Sequence, residues 1–280
     1  MSDSAVWIIT GANGGLGRAL TLAALDAGHT VVATARHTAH GLPTHDRLTV
    51  EQLDVRDRNA ARALVERATA QHGGVDVLVN NAGYGLIGTA EEASEDDARD
   101  IIDTNLLGPL WLSQAVIPVM RDRGSGHIVQ ISTVGAVGTM PTLGLYNASK
   151  WGLEGFSEAM ASEVAEFGIR VSLIEPGALD TDWAGASMRF SAPKPPYDTL
   201  RTRLFGTAAV PWPEADAARG ADPALAATAI LAHVSRGDDR RLRVLFGDDA
   251  PEQVAAALAA RRGDYARDPR FTAAETTLES

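Results

Sequence analysis

A short apolar run, Ala5 to Thr10 (AVWIIT), passes without a break into Gly11-Ala12-Asn13-Gly14-Gly15-Leu16-Gly17, and this junction constrains the chain more than any other stretch. The run is compact and rich in β-branched residues, as a buried strand is. After the glycines, Leu16, Leu20, Ala23 and Ala27 recur at helical spacing, and Gly28 stops the helix. Strand, glycine turn and helix in that order make a site for a dinucleotide. Glycines let the backbone come close to a pyrophosphate, and the helix N-terminus offers it free N–H groups.

The alternation continues. Strands are predicted at Thr30 to Ala35, Leu48 to Leu53, Val75 to Val79, His127 to Ile131, Ile169 to Glu175 and Leu242 to Phe246. Between them lie helical patterns. Asp57 is placed to cap one with the stripe Ala61, Leu64, Val65 and Ala68, and Ser94 and Asp97 have capping-box spacing at the start of another. Asp222-Pro223 opens a helix, and Pro251 to Arg262 reads as a further one. The acidic stretch Glu91 to Asp103 reads as a solvated, charge-favoured helix start that runs on past Asn105. Gly83 to Gly88 matches a second glycine motif, but no helical pattern follows it, so it reads as a turn. His37, His40 and His45 fall in a loop that fixes no ligand spacing, so no metal is expected. From about Ala178 to Asp222 the periodicity fails in a proline-rich stretch with Trp183, Met188, Phe190, Tyr197 and Trp212, which suggests a lid. The whole reads as one doubly wound α/β domain over residues 1–280, with a frayed tail after about Gly263.

Totals narrow the function. A formal charge of −11 argues against a nucleic-acid partner, which needs a basic face. With no cysteine in the chain, disulfides, thiolate metal sites and cysteine nucleophiles are excluded. No run of 18 apolar residues occurs and Met1-Ser2-Asp3-Ser4 is not a basic leader, so a cytoplasmic location without membrane contact is expected.

In the segment beginning Leu145-Tyr146-Asn147-Ala148-Ser149-Lys150, Tyr146 and Lys150 stand one helical turn apart on one face. A free phenol titrates near pH 10, and a neighbouring ammonium favours the phenolate. Bringing it to neutrality takes roughly 4 kcal/mol, which a cation, a helix end and a cofactor can supply together. The stripe continues through Leu153, Met160, Val164 and Phe167, which places Tyr146 and Lys150 on the inward side of the helix. Past the second strand, an acidic residue would grip a ribose 2′-hydroxyl, whereas an arginine suits a 2′-phosphate; Arg36 occupies that place, with His37 beside it.

Four ordered signatures, Thr10-Gly11-x-x-x-Gly15-x-Gly17, Asn80-Asn81-Ala82-Gly83, Tyr146-x-x-x-Lys150 and Pro176-Gly177 with Thr181 downstream, give the chain from Ala5 to about Arg262 a form that resembles the compact branch of the short-chain dehydrogenase/reductase family. The resemblance implies a Rossmann-type fold with a seven-stranded parallel sheet in the order 3-2-1-4-5-6-7. It implies hydride transfer between a nicotinamide cofactor and a carbonyl or alcohol carbon, and Arg36 points to NADP(H) rather than NAD(H) as that cofactor. Tyr146 would be the general acid or base, Lys150 would lower its pKa and hold the nicotinamide ribose, and Asn105 would hold a water behind Lys150. Gly11, Asn13, Gly15, Leu16 and Gly17 would form the pyrophosphate turn, and Asp54 and Val55 would lie at the adenine end. Asn81, Ala82 and Gly83 would flank the cofactor, and Pro176, Gly177 and Thr181 would border the nicotinamide. A homodimer or homotetramer is also implied.

The chain departs from the family at one catalytic position. Thirteen residues before the tyrosine, where the family carries a serine that orients the substrate carbonyl, stands Thr133, with Ser132 next to it. Threonine keeps the hydroxyl but has a stiffer χ1, and Thr133 is taken as the substitute, with Ser132 facing away. Gly14 also stands where NADP-preferring relatives often have a basic residue, which leaves the discrimination to Arg36. The leading expectation is reduction of a bulky, apolar ketone, with Trp151, Trp183 and Trp212 near the pocket. The alternatives are an NADP(H)-sensing binding protein on the same fold and, less favoured by the glycine spacing, an epimerase or dehydratase.

Overall fold

The computed structural model describes residues 4–37, 41–180, 188–210 and 220–271. Seven strands make one parallel sheet: β1 (Val6–Thr10), β2 (Thr30–Ala35), β3 (Leu48–Gln52), β4 (Val77–Asn80), β6 (Gly126–Ile131), β7 (Ile169–Pro176) and β9 (Arg243–Phe246). Their order across the sheet is β3-β2-β1-β4-β6-β7-β9. Counting these seven alone, this is the expected order 3-2-1-4-5-6-7. The remaining strands, β5 (Gly85–Ile87) and β8 (Met188–Phe190), form a separate parallel pair.

Both faces of the sheet are covered, so its central strands are apolar on both sides. Trp7 and Ile9 of β1 point into a core with α1 (Gly15–Asp26) and α7 (Pro223–Ser235). Ile8, between them, points into a second core with α2 (Arg58–His72), α4 (Gly108–Arg123) and α5 (Gly144–Val164). The period of two along a strand thus divides one six-residue run between two cores. Local rules set the helix ends. Asp57 accepts hydrogen bonds from the Asn59 and Ala60 N–H groups, Ser94 and Asp97 form the capping box of α3 (Glu95–Ile102), and Asp222 caps α7. No helix among the described residues is long and apolar enough to cross a membrane.

Four expectations need correction. Gly83 to Gly88 is not a simple turn, because Gly85–Ile87 is β5, whose partner strand comes from the far side of the chain. The 178–222 stretch contains β8 and α6 (Asp198–Phe205), although Trp183 and Trp212 lie outside the described residues. Phe167 does not continue the α5 stripe; it is exposed beyond the helix end. The acidic stretch is more than a solvated helix start, since its carboxylates hold the 188–201 segment. Arg189 pairs with Asp100 at 3.2 Å, Ser191 Oγ donates to Asp97 at 3.0 Å and Lys194 pairs with Glu91 at 3.0 Å.

At the centre of this seam Arg201 and Glu92, each with a side chain only 3% exposed, form an ion pair. Glu92 also accepts from the Thr89 and Lys194 backbone N–H groups, each at 2.8 Å. Burial pushes the Glu92 carboxyl up, but those hydrogen bonds and Arg201 outweigh it and hold the group down at about 2. A depressed carboxyl adds stability that is complete above its ordinary value of 4.5 and is lost as pH falls from there toward 2. Arg201→Ala, which leaves Glu92 charged and buried without its guanidinium, should destabilise this seam by about 3–5 kcal/mol. Hydrogen exchange of the amides in residues 188–205 reads the effect, and wild-type protection there should fall between pH 4.5 and 2.

Candidate active site

The turn after β1 has the backbone a pyrophosphate requires. Gly11 and Gly15 have φ of +65° and +47°, a region that side chains with a Cβ rarely adopt. At Gly17 space is the constraint, because a Cβ there would lie 2.3 Å from the Gly11 carbonyl oxygen and 2.4 Å from Asn81 Nδ2. Gly14 caps α1 in an extended conformation without a side-chain hydrogen bond, so the first-turn N–H groups have no side-chain acceptor. Such a helix end attracts an anion. Asn13 is exposed at the turn, whereas the Leu16 side chain is buried in the core, leaving only its backbone for a ligand.

Asn81 ties this turn to β4. Its Nδ2 donates to the Thr10 carbonyl at 2.9 Å and to that of Gly11 at 3.2 Å. Thr10 Oγ1 accepts in return from the N–H groups of Asn81 and Ala82, at 3.0 and 2.9 Å. Thr10, which the glycine signature includes without a role of its own, thus helps to hold the turn. Ala82 lies so close that a Cβ on Gly11 would be 2.9 Å from its Cα. A Cβ on Gly83 would reach Asn105 Oδ1 at 3.0 Å and Lys150 Nζ at 3.7 Å. The turn, the end of β4 and Lys150 pack this closely only because these positions carry no side chain.

At the outer end Arg36 is exposed beyond β2, and its carbonyl accepts from Gln52 Nε2 at 3.0 Å. The Asp54 carboxylate is held by Arg56, whose Nη2 approaches Oδ2 to 2.7 Å and whose Nη1 pairs with Asp100 at 2.8 Å. The Arg56 hydrogen bond keeps Asp54 below the usual carboxylate range. Val55 packs inward, where it blocks any Cβ on Gly108.

At the inner end α5 starts under strain: Thr142, two residues before it, has φ of +73°, unusual for a β-branched residue. Its carbonyl accepts from Gly88 N at 2.8 Å. On α5 both Tyr146 and Lys150 are buried, at 7% and 6% exposure. Burial pushes the Tyr146 phenol up to about 12, opposed by a side-chain hydrogen bond with Thr133. Burial likewise pushes Lys150 down to about 8, opposed by the charge of Glu154. The expected lowering of the tyrosine is thus reversed in the protein alone, because desolvation penalises the phenolate and the charge spacing does not reveal it. Lys150 Nζ donates to the Ile131 carbonyl at 2.7 Å.

The two neighbouring hydroxyls part company. Thr133 meets Tyr146, while Ser132 Oγ donates to Glu154 Oε1 at 2.6 Å. Asn105 sits in a π-helical turn, Asp103–Leu107, between α3 and α4. It is fully buried; its Oδ1 accepts from Tyr84 N at 3.1 Å, and its Nδ2 donates to the Tyr84 carbonyl at 2.9 Å and to Ser149 Oγ at 3.1 Å. Its carboxamide therefore joins the β4–β5 connection to α5. Pro176 ends β7, and Gly177 N donates to the Phe246 carbonyl at 2.9 Å. Thr181 lies outside the described residues. Trp151 is 42% exposed; its Nε1 donates to the Gly135 carbonyl and Arg261 covers its ring, so it braces the loop after Thr133. Tyr146 itself packs in an apolar cluster with Tyr84, Leu86, Ile87, Ile101, Leu143 and Met188.

Residues 5–190 match the family model described as short chain dehydrogenase. Oxidoreductase BOA17 of Botryotinia fuckeliana (strain B05.10) is 35% identical over 257 residues, which cover 90% of this chain and 92% of that protein. The crystal structure of a short-chain dehydrogenase from Streptomyces avermitilis superimposes with a TM-score of 0.81 at 36% identity, covering 94% of this chain and 96% of that one. The closed form of serine dehydrogenase complexed with NADP+ matches with a TM-score of 0.71 at 26% identity, over 86% and 94% of the two chains.

Gly17→Ala should abolish binding of a nicotinamide dinucleotide and lower the melting temperature, since its new methyl meets the Gly11 carbonyl oxygen and Asn81 at the same time. Fluorescence titration with NADPH and a thermal melt check this, with Gly14→Ala, where a Cβ meets nothing within 4 Å, as the tolerant control.

Proposed function

The chain belongs to the short-chain dehydrogenase/reductase family, and on that premise we propose that it is an NADP(H)-dependent carbonyl reductase, or an alcohol dehydrogenase in reverse, for a bulky apolar ketone or secondary alcohol. The observation that carries the reading is the buried Tyr146 phenol facing the Thr133 hydroxyl, one helical turn from a buried Lys150. A bound nicotinamide supplies the hydride that is exchanged with the carbonyl carbon. Gly11, Gly15, Gly17 and the free N–H groups of α1 hold the pyrophosphate, and Arg36 holds the 2′-phosphate. Asn81, Ala82 and Gly83 leave room for the cofactor on the sheet side, and Pro176 and Gly177 border the nicotinamide.

Thr133 and Tyr146 present two hydroxyls to one substrate oxygen, and Tyr146 gives up its proton as negative charge develops there. A phenol pushed up to about 12 is fully protonated at neutral pH, the state that reduction requires. Lys150 provides the nearby cation that steadies the phenolate once the proton has gone. Asn105, through Tyr84 and Ser149, keeps α5 at the distance these contacts need. The apolar groups around Tyr146, with Leu145, Phe190 and Phe205 beside them, favour a bulky hydrophobic substrate. We read the described segment 188–205 as its cover, moored by Arg201 and Glu92.

A panel of steroid, polyketide-like and aryl ketones, followed by NADPH oxidation, should reveal turnover that Tyr146→Phe removes by about 10²–10⁴-fold while cofactor binding is retained. Binding without turnover across the panel would identify a cofactor-sensing protein instead. Thr133→Ala should lower kcat by about 10²–10³-fold, far more than Ser132→Ala, and the opposite ranking would reassign the substrate-orienting hydroxyl. Arg36→Asp should cost NADPH about 10–100-fold in kcat/KM and leave NADH the better cofactor.

A further inference from the structure

The catalytic face of α5 continues past Lys150. One more turn along it stands Glu154, 6% exposed, in a helix whose buried side is otherwise made of apolar or uncharged residues apart from Lys150. Three successive turns of that face meet three consecutive residues at the end of β6. Tyr146 meets Thr133, Lys150 meets the Ile131 carbonyl and Glu154 meets Ser132. The Ser132 to Glu154 bond, at 2.6 Å, is as short as the charge-assisted hydrogen bond of a hydroxyl to a carboxylate.

Glu154 is not isolated. Glu175, 1% exposed, stands next to Pro176 at the end of β7. Arg243 of β9 reaches both acids with one nitrogen, its Nε being 3.4 Å from Glu154 Oε2 and 3.3 Å from Glu175 Oε1. Its Nη2 pairs outward with Glu158 at 2.8 Å, and its side chain is 41% exposed, so the guanidinium closes the pair off from solvent without sealing it. The charged groups around Glu154 are thus Lys150 and Glu158 on its own helix, Glu175 on β7 and Arg243 on β9. Two buried carboxylates that flank one guanidinium nitrogen, Glu175 Oε1 having no hydrogen-bond partner, cannot both be charged at low cost, and protonation of one relieves the repulsion.

We propose that Glu154 is a positioning residue of the active site, which with Glu175 and Arg243 forms a buried, electrostatically linked carboxylate pair that anchors the segment bearing Thr133 and keeps Lys150 charged. The direction of each shift agrees with the geometry. Burial and the charge of Glu154 push Glu175 up to about 7, and burial raises Glu154 despite Ser132 and Arg243. Lys150 loses protons readily because it is buried, and Glu154 is the charge that opposes this. The proposal rests on the functional reading above for its meaning in catalysis, but the charge of Lys150 can be read without substrate or cofactor.

The chain has only two lysines, Lys150 and Lys194. Biosynthetic ¹³C-lysine labelling therefore gives two side-chain titrations, and Lys194→Arg assigns them. In Glu154→Gln, which keeps an acceptor for Ser132, the Lys150 midpoint should fall by about one unit or more, while that of Lys194 stays in place. In the wild type the Lys150 signal should also show a second inflection near pH 7 from the carboxylate pair, and Glu175→Gln should remove it. That inflection carries the test should Glu154→Gln not fold. A Lys150 midpoint unchanged in folded Glu154→Gln, or a wild-type Lys150 curve with a single inflection, would overturn the proposal. A failure of every carbonyl substrate would instead remove the functional reading and leave these titrations as they are.

Discussion

Parallel pairing of β1, β4, β6 and β7 is the constraint on which everything else rests. Parallel strands need crossovers, so each strand ends at the same edge before the chain leaves for a helix or loop. The ends of these four strands carry Thr10 and Gly11, Asn81, Ile131 to Thr133, and Glu175 to Gly177. No two of those groups are close in sequence. The sheet brings them together with no side-chain contact needed to recruit them, and side chains such as Asn81 only lock the result.

Helix α5 supplies the second half of the site by periodicity. A turn of helix and the rise of one extended residue do not match, so Tyr146, Lys150 and Glu154 cannot meet Ile131, Ser132 and Thr133 in strict order. The middle lysine takes the Ile131 backbone carbonyl and leaves the two hydroxyls to its neighbours. That choice separates Thr133 from Ser132, two residues of nearly the same chemistry. The same burial sets the electrostatics: it raises the Tyr146 phenol, lowers Lys150 and makes the acid next to Lys150 consequential. In water these groups would hardly sense one another; at this edge they are coupled.

The β5–β8 side of Tyr146 is built differently. A short pair of strands, β5 and β8, and the ion pair of Arg201 with Glu92 fasten a distant part of the chain over Tyr146. These are long-range contacts with little periodic signal. Residues 188–205 therefore read as an irregular stretch in the sequence, although they contain a strand and a helix. The acidic run from Glu91 had an equally plain local explanation as a helix start, and its capping box does serve that purpose. Its second use, as the set of anchors for Arg189, Ser191, Lys194 and Arg201, becomes visible only when the partners are in place.

The sequence by itself determined the sheet, the glycine cradle and the Tyr146–Lys150 face, because strand and helix periods, glycine's missing Cβ and helix caps act within a few residues. The family resemblance, counted back from Tyr146, also singled out Thr133 over Ser132 as an expectation. Tertiary structure decided what depends on burial and on partners far along the chain. It engaged the Asp54 carboxylate with Arg56, occupied the Asn105 carboxamide with Tyr84 and Ser149, raised the phenol that charge spacing alone would have lowered, and placed Glu154 and Glu175 against one guanidinium. The physical reason is the same in each case. Desolvation and ion pairing are properties of a surrounding volume, and a sequence specifies that volume only once the chain has closed around it.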